Sequence, residues 1–89
     1  MKILTVCGMG SGSSLILKMN VDDILSSMGK DADVEACDIG SVGGQAVDLI
    51  ISTKEFTDPL SEYPVDKIFV TNVVNKSDLE AQLKKYFEK

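Results

Sequence analysis

The chain has 89 residues, of which 44% are hydrophobic and 26% charged, and its formal net charge is −5. That length predicts a single domain over 1–89, too short to divide into two cores. All nine basic residues are lysines, arginine and histidine are absent, and no basic cluster occurs, which argues against a nucleic-acid partner. The two cysteines, Cys7 and Cys37, lie far apart without metal-type spacing, so a disulfide framework, a zinc site or a bound cofactor is not expected. The apolar run after Met1-Lys2 is too short for a signal peptide or a membrane span, and a soluble cytosolic protein is expected.

The first element is Met1-Lys2-Ile3-Leu4-Thr5-Val6, apolar and partly β-branched, which reads as a buried strand. It runs into Cys7-Gly8-Met9-Gly10-Ser11-Gly12-Ser13-Ser14, and a helix follows from Leu15 to Met28. Leu17, Val21, Ile24, Leu25 and Met28 recur at helical spacing as one apolar stripe. Ser13 or Ser14 suits the helix cap, and Gly29 suits the stop position that wants a left-handed residue. Met19 and Met28 both read as core filler.

Lys30-Asp31-Ala32-Asp33 is a polar turn, and Val34 to Ile39 alternates weakly, as an edge strand does. Cys37 within it reads as a small hydrophobe without chemistry. Gly40 to Ala46 is a glycine-rich crossover. Val47 to Thr53 is apolar on both faces, the mark of a central parallel strand. Lys54 to Pro64, broken by two prolines, is a loop with room for one helical turn. Val65 to Thr71 is a fourth strand, and Asn72 to Lys76 lead to a last helix. Ser77-Asp78-Leu79-Glu80 matches a capping box, and Leu79, Leu83, Tyr86 and Phe87 form the buried stripe.

Strands alternating with crossovers, without a hairpin signal, predict a three-layer, doubly wound α/β fold. Its four-stranded parallel sheet takes the order 2-1-3-4, with the cysteine loop between strand 1 and helix 1. Ligands of such sheets bind beyond the strands' carboxyl ends, where the order reverses. The Cys7 loop, Ser52-Thr53 and Thr71-Asn72 lie at those ends.

The chemistry of the loop follows from its residue types. Glycines permit close backbone approach to a ligand, and a helix N-terminus offers unpaired amides and partial positive charge. Together they suit a phosphate dianion. A cysteine at the rim has its thiolate favoured, which makes it a nucleophile near neutral pH. Cys7 is therefore the candidate catalytic residue, with Gly8, Met9, Gly10, Ser11, Gly12, Ser13 and Ser14 as candidate phosphate-binding residues. The bland alternative is an inert strand-end thiol with a glycine turn and serine caps. Met9 at the loop tip is a candidate partner contact. Thr53 and Asp58 come near the site only if the strand order holds.

Several other readings compete. Gly8-x-Gly10-x-Gly12 has the wrong last spacing for a dinucleotide fingerprint, and the loop lacks the lysine of an ATP-binding loop. Gly10 stands where a thioredoxin-like motif has its second cysteine. A low-molecular-weight phosphatase shares the strand–cysteine loop–helix layout, but it pairs the cysteine with an arginine six positions on, where this chain has Ser13. Asp58-Pro59 matches its general acid only as far as a plain turn does. Without the arginine, charge stabilisation falls to backbone amides and hydroxyls, which suits a phosphoryl carrier better than a hydrolase.

Lys2-Ile3-Leu4-Thr5-Val6-Cys7-Gly8-Met9-Gly10-Ser11-Gly12-Ser13-Ser14, followed by Lys18-Met19 and Val21-Asp22, resembles the IIB components of the bacterial sugar phosphotransferase system. The likeness is greatest to the ascorbate type, with the galactitol type next. The resemblance implies a phosphoryl carrier. Cys7 takes the group from a IIA partner's phosphohistidine and passes it to a sugar presented by a membrane-embedded IIC permease. It also implies a place at the inner face of the membrane through IIC. A regulatory module that senses phosphate without passing it on is the alternative from another class.

Overall fold

The computed structural model describes residues 1–7, 13–43, 46–71 and 76–88. The first strand, β1, covers Lys2–Cys7 and the first helix, α1, covers Ser13–Ser27. Strand β2 is Asp33–Asp38, followed by a 3₁₀ turn at Ile39–Ser41, and β3 is Leu49–Thr53. A second 3₁₀ turn, Lys54–Phe56, runs into the one-turn helix α2, Thr57–Leu60. Strand β4 is Asp66–Val70 and the last helix, α3, is Lys76–Phe87. The sheet has the order β2-β1-β3-β4, and every pairing is parallel.

Strand direction explains which face each connector takes. The step from β1 to β2 moves one way along the sheet, and the later steps to β3 and β4 move the other way. Parallel crossovers keep one hand, so reversing direction moves the connector to the opposite face. Accordingly the crossover helix α1 covers one face, and the C-terminal α3 joins it there: Leu17, Val21, Ile24, Leu25, Leu79 and Leu83 pack on Ile3, Val34, Leu49, Ile51, Ile68 and Val70. Each fully buried Leu or Ile there contributes about 1.5–3 kcal/mol. The second face is thinner. Leu4, Val6 and Ile50 are covered by Val42, Leu60 and the half-buried Phe56, Tyr63 and Val65, side chains from short turns and connectors. Three layers are present, but only one outer layer is built of long helices.

Helix α1 stops as a glycine-terminated helix should. Gly29 has φ +69°, its N–H donates to the Ser26 carbonyl at 3.2 Å, and the Lys30 N–H donates to Leu25 at 2.9 Å. Those two bonds are the paired closure of a Schellman motif. The alternation read from the sequence also holds: β2 is an edge strand, and Leu49, Ile50 and Ile51 of β3 are fully buried.

Three expectations need correction. Met19 is 59% exposed rather than core. It lies four residues after the exposed Leu15, so that pair shares the outer side of α1, whereas Met28 packs against the core as expected. Ser77 lies inside the first turn of α3, which begins at Lys76, so it does not hold the cap position. The segment 54–64 holds two short helical turns rather than one. Pro59 is tolerated because it falls in the first turn of α2, where its missing N–H has no intrahelical partner to lose.

The other edge of the sheet is β4, where one strand carbonyl and two in the segment before it accept from side chains. Gln82 Nε2 of α3 donates to the Phe69 carbonyl at 2.9 Å, and Lys67 Nζ donates to the carbonyls of Tyr63 and Val65. Side chains that claim edge carbonyls hinder strand addition by another chain.

Candidate functional site at the carboxyl end of the sheet

The register places the ends of the strands side by side. Cys7 pairs with Asp38 of β2, Val6 pairs with Ser52 of β3, and Ser52 and Thr53 pair with Phe69 and Val70 of β4. Strand β1 ends on Cys7, and α1 starts at Ser13. The connectors after β1 and β3 leave to opposite faces, so the crevice at the sheet's reversal opens between the ends of these two strands. Cys7 ends the strand on one side of it, and Ser52, the register partner of Val6, lies near the end of the strand on the other.

Gly8, Met9, Gly10, Ser11 and Gly12 lie outside the described residues, as do the side chains of Cys7, Ser13 and Ser14. Asn72 to Asn75, the link after β4, also lies outside them. The backbones of Ser13 and Ser14 form the first turn of α1, where amide N–H groups have no intrahelical acceptor.

Sequence reasoning named Ser52 but assigned it nothing. The residue is fully buried, and its hydroxyl donates to the Val6 carbonyl at 2.6 Å. A second hydroxyl, on Thr5, is also fully buried and reaches the Glu35 carbonyl at 3.4 Å. The available signal for Ser52 was a polar residue interrupting an apolar strand, Leu49-Ile50-Ile51-Ser52-Thr53. Thr53 does sit at the end of β3, but its hydroxyl donates to the Glu55 carboxylate at 3.1 Å. Asp58 is exposed in α2, a helix whose Leu60 packs on the second face. Cys37 is a half-buried thiol against the second-face core, as a packing residue.

The grooves outlined by described side chains lie around the C-terminus of α1 and along β4 and α3. One, of about 350 Å³, is lined by Asp22, Ser26, Lys30 and Asp31 around the C-terminus of α1. Asp22 there is paired with Lys18 and Lys30 lies over the Phe87 ring, so the charged groups are engaged with neighbours rather than aimed into the groove. Among the described residues, no cluster of histidine, cysteine or acidic side chains could hold a metal ion. No helix there is long and apolar enough to cross a membrane.

A parallel sheet of this order, with a central strand ending on cysteine and a helix starting six residues later, defines a small doubly wound α/β domain. The comparisons with known proteins identify the class further. A protein-family model described as "PTS system, Lactose/Cellobiose specific IIB subunit" matches residues 2–85. The chain belongs to this family, the IIB subunits of the sugar phosphotransferase system. It is 31% identical over 86 residues to the ascorbate-specific PTS EIIB component of Mycoplasma pneumoniae, covering 93% of this chain and 90% of that protein. It is 34% identical over 90 residues to the ascorbate-specific PTS EIIB component of Shigella dysenteriae, covering 94% of this chain and 86% of that one. The lactose-specific IIB domain of Streptococcus pneumoniae superposes with a TM-score of 0.61 at 16% identity, covering 99% of this chain and 95% of that one. That structure supports the fold alone.

Proposed function

We propose that this IIB subunit carries a phosphoryl group on Cys7. The observation behind the reading is the placement of Cys7 as the last residue of a central strand, at the sheet's reversal and just before the Gly8–Gly12 segment and α1. The Cys7 thiolate attacks the phosphorus of a phosphohistidine on a IIA partner. The S–P bond forms as the P–N bond breaks, and the imidazole leaves neutral after taking a proton. The amides of Gly8, Met9, Gly10, Ser11, Gly12, Ser13 and Ser14 receive the equatorial oxygens, and the serine hydroxyls add donors. A sugar hydroxyl held by a IIC permease then attacks the phosphorus and regenerates the thiol. The chain lacks histidine and arginine, so the phosphohistidine and any guanidinium clamp come from its partners.

The cargo we propose is ascorbate. The support is the name shared by relatives 31% and 34% identical that match this chain over nearly its whole length. The family description names lactose and cellobiose instead, so the choice rests on those relatives. The subunit works on the cytoplasmic side, where it meets IIC at the membrane.

The test is incubation with the general phosphotransferase proteins, phosphoenolpyruvate and an ascorbate-type or a lactose-type IIA, followed by mass spectrometry. The expected result is one phosphoryl group on the peptide containing Cys7, formed faster with the ascorbate-type donor. Phosphate appearing on another residue, or free phosphate released without a stable adduct, overturns the carrier reading.

A further inference from the structure

We infer that Ser52 is a positioning residue for Cys7, acting through the peptide that joins Val6 to Cys7. The inference rests on the proposed role of Cys7 and deepens it. Ser52 is the one polar residue among the four fully buried positions of β3, and its partner in the β1 register is Val6. Its hydroxyl donates to the Val6 carbonyl at 2.6 Å, a short and fully buried bond between the two strands that flank the crevice. An aliphatic side chain at this position would bury more apolar surface, so core packing alone gives no reason for a hydroxyl here.

The consequence of the bond lies in peptide geometry. The Val6 carbonyl and the Cys7 N–H belong to one planar unit. A donor locked onto that oxygen fixes the plane, and with it the direction of the Cys7 N–H and the position of the Cys7 Cα. It also polarises the amide, which makes that N–H a stronger donor. A hydrogen bond inside a closed core is a firmer anchor than one at the exposed rim, where Thr53 instead turns to Glu55.

The experiment compares wild type, Ser52→Ala, Ser52→Thr and Ile50→Val. Ile50→Val trims a methyl from a fully buried residue one pair along on the same face and leaves the Ser52 bond intact, so it matches a packing loss without touching the peptide. Two readouts are taken: the pH profile of Cys7 alkylation by iodoacetamide, and the rate of phosphoryl transfer from a phosphorylated IIA. Trypsin separates Cys7, in residues 3–18, from Cys37, in residues 31–54, so mass spectrometry reads each thiol alone. Asp38, the register partner of Cys7, is the same in all four proteins.

The expected result is that Ser52→Ala moves the alkylation midpoint to higher pH and slows phosphoryl transfer about tenfold, with KM for the donor unchanged. Ser52→Thr, which keeps a hydroxyl, restores both, and Ile50→Val changes neither. If Ser52→Ala matches wild type in both readouts, or Ile50→Val shifts them equally, the positioning role is overturned. If wild type takes no phosphoryl group, the carrier reading fails, and the alkylation profiles still decide whether Ser52 tunes Cys7.

Discussion

The two ends of the sheet are built on different rules. At the amino end, backbone groups of β1 are tied off by the segments that lead into β2 and β3. The Lys2 N–H donates to Asp48 Oδ2 at 2.8 Å, the Asp48 N–H returns a bond to the Lys2 carbonyl at 2.9 Å, and the Asp33 N–H donates to Met1 at 2.9 Å. The closure of α1 at Gly29 lies at the same end. At the carboxyl end a hydroxyl is placed inside an otherwise apolar strand, and the chain leaves β1 at a cysteine followed by glycines and serines. One end satisfies exposed polar groups at the rim of the sheet, with backbone and carboxylate partners. The other keeps polar residues where apolar ones would pack better, which is where a reactive group is to be expected.

If that contrast is right, the largest effect belongs to the carboxyl end. Cys7→Ser should lower stable phosphoryl acceptance by more than about a thousandfold, because a serine hydroxyl without a general base is a far weaker nucleophile than a thiolate. Radiolabel transfer from a phosphorylated IIA measures it, and acceptance by the variant would break the contrast outright. Next comes the helix-covered core. Leu17→Ala should destabilise by about 2–5 kcal/mol in urea unfolding, while Met19→Ala, two residues away but exposed, should stay within about 0.5 kcal/mol.

At the amino end, Gly29→Ala should cost about 1–2 kcal/mol, because an alanine there must keep positive φ. A Cβ at Gly29 would meet nothing within 4 Å, so the penalty is conformational rather than steric crowding. Gly29→Asn should recover part of it, and loss of phosphoryl acceptance in either variant would blur the division between the ends. Asp48→Ala should cost less, about 0.5–1.5 kcal/mol, by removing the acceptor of the Lys2 N–H.

The smallest effect concerns Tyr86. Burial raises its pKa first, and a hydrogen bond to Asp66 and the charges of Asp66 and Asp48 raise it further. A raised pKa means the fold binds that proton more tightly than the unfolded chain does. The stability it contributes is therefore complete below tyrosine's ordinary titration range and is lost as pH rises through the raised value. Urea midpoints measured towards alkaline pH should fall less steeply for Tyr86→Phe than for wild type.

Much of this architecture was legible because it depends on short-range rules. The stripe from Leu17 to Leu25, the three-residue apolar run of β3, the edge character of β2 and the glycine stop at Gly29 each follow from spacing or a single residue type. The errors arose where two local signals disagreed. Met19 falls on the side of α1 opposite the Leu17–Val21–Ile24–Leu25–Met28 stripe, so its apolar type misled where the helical spacing already pointed outward. Ser77 fits a cap, but α3 begins one residue before it. The cysteine-led segment was legible as an anion-binding pattern, whereas the anchor behind it was not. A lone serine in an apolar strand carries no marker of which carbonyl it will meet.

By itself the amino-acid sequence determined the alternation of strands and crossovers and hence the parallel class of the sheet, since these rest on residue type and on spacing along the chain. Tertiary structure alone decided that Ser52, forty-six residues away from Val6, closes on its carbonyl. It also decided that the second face is covered by turns instead of a long helix. Both are contacts between segments remote in sequence, set by register and packing, and no local pattern encodes them.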